Sequence, residues 1–348
     1  MIQATPSTKL KKREKELLVL ELVALTTAQR VDFMAAQGLP ISLSNKGEVR
    51  DRIETSLDDG DFDYTDLIGY LDEVVPSGKQ HVYLFNGPSG STKNTWQKQP
   101  WVKRHLKKHA PDVFALLSGG KHVGLPEELT PTSIEWTADR ITLQLVRRRE
   151  WFERDKQYDD QKETPAGEPV ELRAFVHRVI RNLIVFEWDL KTNTAALRIS
   201  QLAGGVRYEN VKQEVAALLA PWLNLGTFAL LDLHPAILNL MKLERSGKGI
   251  TRSHDFEVLT STGRAVSVRS NANDAPAVGD KATKAVFDSI PGTVTGNTGN
   301  FYWLPERGNP LSEELRVVLV GDKDRINFTA PSNEKIIQRV LSDIRKHC

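Results

Sequence analysis

Cysteine is all but missing from this chain: the single one is the last residue, Cys348. No intrachain disulfide can form, and a zinc or iron–sulfur site built on cysteines is excluded. Apolar runs of spanning length, about 20 residues, are also missing. The N-terminal stretch MIQATPSTKLKKREKELLVLELVAL is interrupted by Glu14, Glu16 and Glu21, and no small-residue cleavage site follows, unlike a secretory signal. Net charge is nearly absent as well, with 47 basic residues against 45 acidic ones leaving +2, so any electrostatic argument has to be local. There is no fixed-period repeat. These absences point to a reducing compartment, cytoplasmic or nuclear if the source is a eukaryote, and to no membrane partner and no cofactor.

The 40% hydrophobic and 26% charged composition is that of a globular protein long enough for two or three cores. Four helical periods fill residues 9–72, KKREKELLVLELVAL, TTAQRVDFMAAQGLP, KGEVRDRIETSLDDG and DYTDLIGYLDEVV, separated by Gly, Pro and Ser signals. Strand-like runs follow at 81–86, 132–137 and 140–146, with a basic helix at 101–109 among them. Residues 154–171, RDKQYDDQKETPAGEPVE, are polar and hold two prolines, which marks a linker or long loop. Beyond it, hairpins joined by short polar turns alternate with helices, including GDKATKAVFDSI and the closing NEKIIQRVLSDIRK. The expected class is α+β: a small helical domain at 1–78, a basic α+β segment at 79–153, the linker, and a C-terminal α+β domain at 172–348.

The stretch HVYLFNGPSGSTKNTW, residues 81–96, invites comparison with a phosphate-binding loop, because Lys93 follows Gly87 at the Walker interval. Thr92 replaces the second glycine, Asn94 replaces the hydroxyl residue, and Pro100 interrupts the helix that would aim at phosphates. A strand leading into a loop is the expected structure. Asp232, in FALLDLH, would be a partner carboxylate for such a site, and GDKD at 321–324 is expected to be a hairpin turn.

No acidic residue occurs between Glu73 and Asp112, an interval that holds Lys79, Lys93, Lys98, Lys103, Arg104, Lys107 and Lys108 with three histidines. Trp96 and Trp101 are interleaved with these cations, and phosphate-seeking groups beside stacking faces are what nucleic-acid grooves use. His105 and His109 lie four apart but among cations that would repel a metal. A second basic–aromatic cluster comprises Arg147, Arg148 and Arg149 with Trp151. A third runs along ELRAFVHRVIRNL, with Arg173, Arg178 and Arg181 beside an apolar stripe of Phe175, Val179 and Leu183.

Residues 25–53, LTTAQRVDFMAAQGLPISLSNKGEVRDRI, carry a helix with Val31 and Met34, a turn at Gly38-Leu39-Pro40 with Ser42, and a second helix with Lys46, Glu48, Val49, Arg52 and Ile53. This pattern resembles the SAP motif, a helix–extended loop–helix module associated with DNA. Leu43 stands where the motif has glycine, and Gly47 falls in a first helical turn. The resemblance implies DNA binding, with Arg30, Lys46 and Arg50 as its phosphate-contacting, solvent-facing set.

Other groupings favour plainer structure. Counting from Asp59 in DDGDFDYTD, Tyr64 stands where an EF-hand needs glycine and Tyr70, beyond this stretch, where it needs glutamate, so a helix-ending turn and a cap are expected. Glu187 with Asp189, and Asp255 with Glu257, share strand faces but lack the lysine of a metal-nuclease core. The reading that unites these features is a non-catalytic nucleic-acid-binding or adaptor protein, DNA favoured over RNA, with a protein partner or self-association through the C-terminal domain. The alternatives are an enzyme, as a degenerate P-loop protein or a metal-dependent nuclease, and a protein-interaction scaffold.

Overall fold

The four N-terminal periods become four helices, each begun or ended by the residue suited to it. In the computed structural model, which describes residues 10–41, 45–202, 205–270, 294–305 and 313–348 with 277, 281, 283 and 285, these are α1 (Lys12–Ala24), α2 (Thr27–Ala36), α3 (Lys46–Asp59) and α4 (Tyr64–Val74). Thr26 and Gln29 form a capping box on α2, Asn45 caps α3, and Asp63 caps α4 through the amides of Thr65 and Asp66. Gly60 ends α3 in the left-handed region, φ +79°, so the acidic stretch is a turn and a cap as expected. Leu18, Leu22, Phe33, Met34, Ile53, Leu67 and Leu71 fill the core of this module. Ser42 and Leu43 lie outside the described residues.

The remaining chain builds one large antiparallel sheet. Its strands are β1 (Gln80–Asn86), β2 (Thr130–Trp136), β3 (Arg140–Arg154), β6 (Phe175–Asp189), β7 (Thr194–Ser200), β8 (Ala229–Leu230), β9 (Thr251–Thr260), β10 (Ala265–Arg269), β11 (Val294–Trp303), β12 (Leu315–Val320) and β13 (Arg325–Phe328). The order is β10-β9-β11-β12-β13-β1-β7-β6-β3-β2, with β8 pairing β1 off this path. A separate hairpin joins β4 (Asp160–Glu163) to β5 (Pro169–Leu172). β1 is central because six of its seven residues are buried: Tyr83 and Phe85 point to one face, Val82 and Leu84 to the other.

Helices cover both faces. α5 (Gly90–Trp96), α6 (Gln99–His109), α7 (Pro111–Leu116) and α8 (Tyr208–Leu219) pack on the Tyr83 face, while α9 (His234–Arg245) and α10 (Glu334–His347) pack on the Val82 face. The α+β class therefore holds. Strands from 79–153 and from 172–348 share one sheet, since β1 pairs with both β7 and β13 and β3 pairs with β6. Residues 154–171 are the end of the β3–β6 hairpin, holding a short 3-10 turn and the β4–β5 hairpin; proline and charge accompany a solvent-exposed hairpin end as readily as a linker. Most of the helix expected at 279–290 lies outside the described residues.

Candidate nucleic-acid interface

α6 is a short helix whose sequence divides cleanly. Pro100 sits in its first turn, where a missing amide hydrogen costs nothing, and α5 has already ended at Trp96. Val102 and Leu106, one turn apart, are buried against the sheet. Lys103, Arg104, Lys107, Lys108 and His109 are exposed, as is Lys98 just before the helix. Among the described residues none of these six enters an ion pair. The last-turn cations also oppose the negative end of the helix dipole, so the helix tolerates their crowding.

The tryptophans do a different job from the one expected of them. Trp96 is 3% exposed and meets Trp101, His105, Trp188 and Trp222 edge-on or tilted, with ring centroids 5.3–6.1 Å away. Trp101 is half-buried and stacks on His105 at 4.4 Å, and His105 Nε2 lies 2.8 Å from the Trp222 carbonyl. Trp96 thus anchors α6 to the sheet and offers no face to a base, and His105 is occupied. Lys93 is half-buried on α5. Beside α6, a groove of about 610 Å³ runs between α6, α7 and β2, lined by Val102, Lys103, Leu116, Glu135 and Trp136.

The other basic clusters are consumed internally. Arg147 and Arg149 both reach Glu214 on α8, at 2.5 and 3.1 Å, and Arg148 pairs with Glu150 at 2.6 Å. Arg173 pairs with Glu171 and Arg178 with Glu153. Arg181 is wholly buried against Asp72 of α4. The stripe of Phe175, Val179 and Leu183 lies on a strand, because a spacing of four returns to the same face of a strand as it does on a helix.

In the N-terminal module the expected set also divides. Arg30 is half-buried and turns inward, donating to the carbonyls of Val23 (3.0 Å) and Leu25 (2.6 Å) at the end of α1. That corrects its expected solvent-facing place. Arg50 is half-buried and bonds Glu54 one turn on, at 2.8 Å, while Lys46 is exposed. Gly38 ends α2 with φ +70° and Leu39 packs against the module core. Val31 is only half-buried; Phe33 takes its place in the core.

The Walker-like loop is held by the β6–β7 turn. The Gly87 amide donates to the Asn193 carbonyl at 2.7 Å, and the Asn193 side-chain amide donates to the Pro88 carbonyl at 2.8 Å. A side chain at Gly87 would run into Asn193. Close packing against this turn accounts for the glycine, and the helix that follows has two turns at most.

The carboxylate pairs are engaged as well. Glu187 accepts from Arg198 at 3.4 Å and from Gln338 at 2.9 Å, and Asp189 accepts the amides of Lys191 and Thr192. Asp255 bonds Asn300, and Glu257 bonds Ser267 and Asn297. Asp232, His234 and Asp324 bring possible ligand atoms within 4.8 Å of one another. There the His234 Nδ1 is already held by Asp232 at 2.7 Å, and Asp324 accepts the Leu233 amide at 3.1 Å. Asp324 follows the short turn 321–323 that joins β12 to β13, the hairpin turn expected of GDKD.

One cluster escapes a motif search. His81 is 9% exposed, packs with its ring tilted against that of Tyr208 at 3.7 Å between centroids, and lies near Arg325 and Glu209; burial, then the Arg325 charge, drives its pKa down to about 4. Strict alternation puts His81, Tyr83 and Phe85 on one face, and that was its only trace in sequence. Compared with known proteins, the chain matches no family model and no curated sequence.

Proposed function

We propose that the protein binds a polyanion, the phosphate backbone of nucleic acid, through the exposed face of α6. One contrast carries this reading. Arginines elsewhere in the expected clusters have acidic or carbonyl partners within the chain, whereas Lys98, Lys103, Arg104, Lys107, Lys108 and His109 are exposed with no ion pair among the described residues. Unneutralised cations crowded on one helix face repel each other and lower the free energy of any phosphate brought to them. Backbone contact of this kind is independent of base sequence. The helix–loop–helix at 25–53, resembling the SAP motif and presenting Lys46, favours DNA over RNA.

The test is binding of the full chain to labelled duplex DNA across a salt series. The combined change of Lys103, Arg104, Lys107 and Lys108 to alanine should weaken binding to all sequences alike. It should flatten the slope of log affinity against log salt by about 0.9 per lost phosphate contact. An unchanged slope in a variant with unchanged melting temperature would overturn the proposal.

A further inference from the structure

The β3–β6 hairpin outruns the sheet that bears it. β2 leaves β3 at Val146 and β7 leaves β6 at Ile184, yet β3 and β6 stay paired outward from Arg147–Asn182 to Arg154–Phe175. At about 3.3 Å per residue these further rungs make a two-stranded arm on the order of 25 Å long. The β4–β5 hairpin is fastened to its end by the ion pair of Arg154 with Asp159, and Asp159 also accepts the Ala174 amide at 3.0 Å. Arg147, Arg149 and Arg181 tie the base of the arm to α8 and α4.

Beyond that base the arm is apolar where apolar residues are least expected. Phe152 is 69% exposed, Tyr158 65% and Phe175 57%, and with Val170 and Leu172 they make five of the eight large exposed hydrophobics among the described residues. Phe152 and Phe175 share one face of the ribbon, where Phe152 stacks on His177 at 4.9 Å and the Arg154 guanidinium lies 5.5 Å over Phe175. A two-stranded ribbon is marginal in water without a covered face.

Charge along the arm identifies what covers it. Residues 155–171, the tip, hold six carboxylates against two lysines. The flanking stem, residues 148–154 and 172–178, holds five arginines against two glutamates. Glu214 takes up Arg149 at the base, and the other four pair with carboxylates of the same arm, Glu150, Asp159, Glu171 and Glu153. The stem still keeps a net positive charge, and a second arm's carboxylates can exchange into these pairs. An acidic tip repels nucleic acid, so the arm does not serve the α6 surface. A two-fold axis through the Phe152–Phe175 face sets two arms antiparallel, each acidic tip on the other's basic stem and the aromatic faces together at the centre. We infer that the arm is a dimerisation element whose partner is the arm of a second copy of this chain, an isologous contact in which one patch serves both sides. The dimer stands or falls independently of nucleic-acid binding.

Sedimentation of the full chain over a concentration series tests this. The chain should dimerise, and Phe152→Ser with Phe175→Ser should yield a folded monomer, checked by circular dichroism. A tip variant, Glu163→Lys with Glu168→Lys, and a stem variant, Arg173→Glu with Arg178→Glu, should each weaken dimerisation on the order of 100-fold. Mixed together, the two should dimerise again, because each altered tip then meets an altered stem. A monomeric native chain would overturn the inference and point to a different protein as the occupant. Dimers that survive the phenylalanine changes, or a mixture that stays monomeric, would overturn it too.

Discussion

Arg181 Nη2 and Asp72 Oδ1 lie 2.6 Å apart, joining the long hairpin to the helical module through a guanidinium with no exposed surface. The same arginine donates from Nε to the carbonyls of Val123 and Gly124, and its backbone amide donates to Glu21 of α1 at 3.3 Å. The guanidinium thus pairs with Asp72 and acts on Glu21 through its charge, while the bond to Glu21 comes from the backbone amide; His122 is also 3.6 Å from Asp72. A buried pair of this kind is costly to break and specifies how the two parts dock.

The third charge in this group makes the docking sensitive to pH. Burial, opposed by Arg181 and reinforced by Asp72, pushes the Glu21 carboxyl from 4.5 up to about 7. A carboxyl raised in the folded state binds more protons there than in the unfolded chain. The stability it contributes is full below 4.5 and is lost as pH rises through 7. Glu21→Gln should remove this slope and raise the melting temperature at pH 8 relative to the native chain. Parallel melting curves for the two proteins from pH 5 to 8 would show that Glu21 does not titrate in this range.

How far residues announce structure depended on whether their partners lie nearby in sequence. The four N-terminal helices and the β6–β7 and β12–β13 hairpins were legible because caps, periodicity and turns are local signals. The pairing of β1 with β13 was not, for nothing in QHVYLFN names RINF as its neighbour. α9 was missed beside FALLDLH because no break separates its apolar residues from the strand before it, and its proline sits harmlessly in the first turn. Trp96 beside lysines looks like a stacking platform until Trp188 and Trp222 arrive from distant elements to bury it. The cations of α6 were legible as charge, but their lack of ion-pair partners among the described residues, unlike Arg147 and Arg149, came only from the fold.

The glycine of the Walker-like loop offers a second test. A methyl group at Gly87 would strike the Asn193 side chain and approach the Asn193 carbonyl at 2.9 Å. Gly87→Ala should cost about 1–3 kcal/mol, the usual penalty for overpacking a filled site. Asn193 has φ +57°, so Asn193→Gly keeps the turn while removing the side chain in the way. Gly87→Ala should cost less in that background, as measured by chemical denaturation of the two single variants and the double. Additive effects would mean that the two residues do not constrain each other.

Within the helical module, three single substitutions separate packing from surface charge. Ile53 is fully buried between helices, and Ile53→Ala should cost about 2–5 kcal/mol through the cavity left behind. Lys46 is exposed with no ion pair among the described residues, so Lys46→Ala should stay within about 0.5 kcal/mol. Arg30 is the informative case, because its sequence position beside the SAP-like features suggests a free surface cation. Its guanidinium instead satisfies two carbonyls at the end of α1 that would otherwise lack intrahelical partners. Losing charge-assisted bonds to half-buried acceptors should cost about 1–3 kcal/mol. Thermal or urea unfolding of Arg30→Ala reads this directly. A cost as small as that of Lys46→Ala would release Arg30 from its place as a helix-end brace and return it to the surface as a group free to meet phosphate.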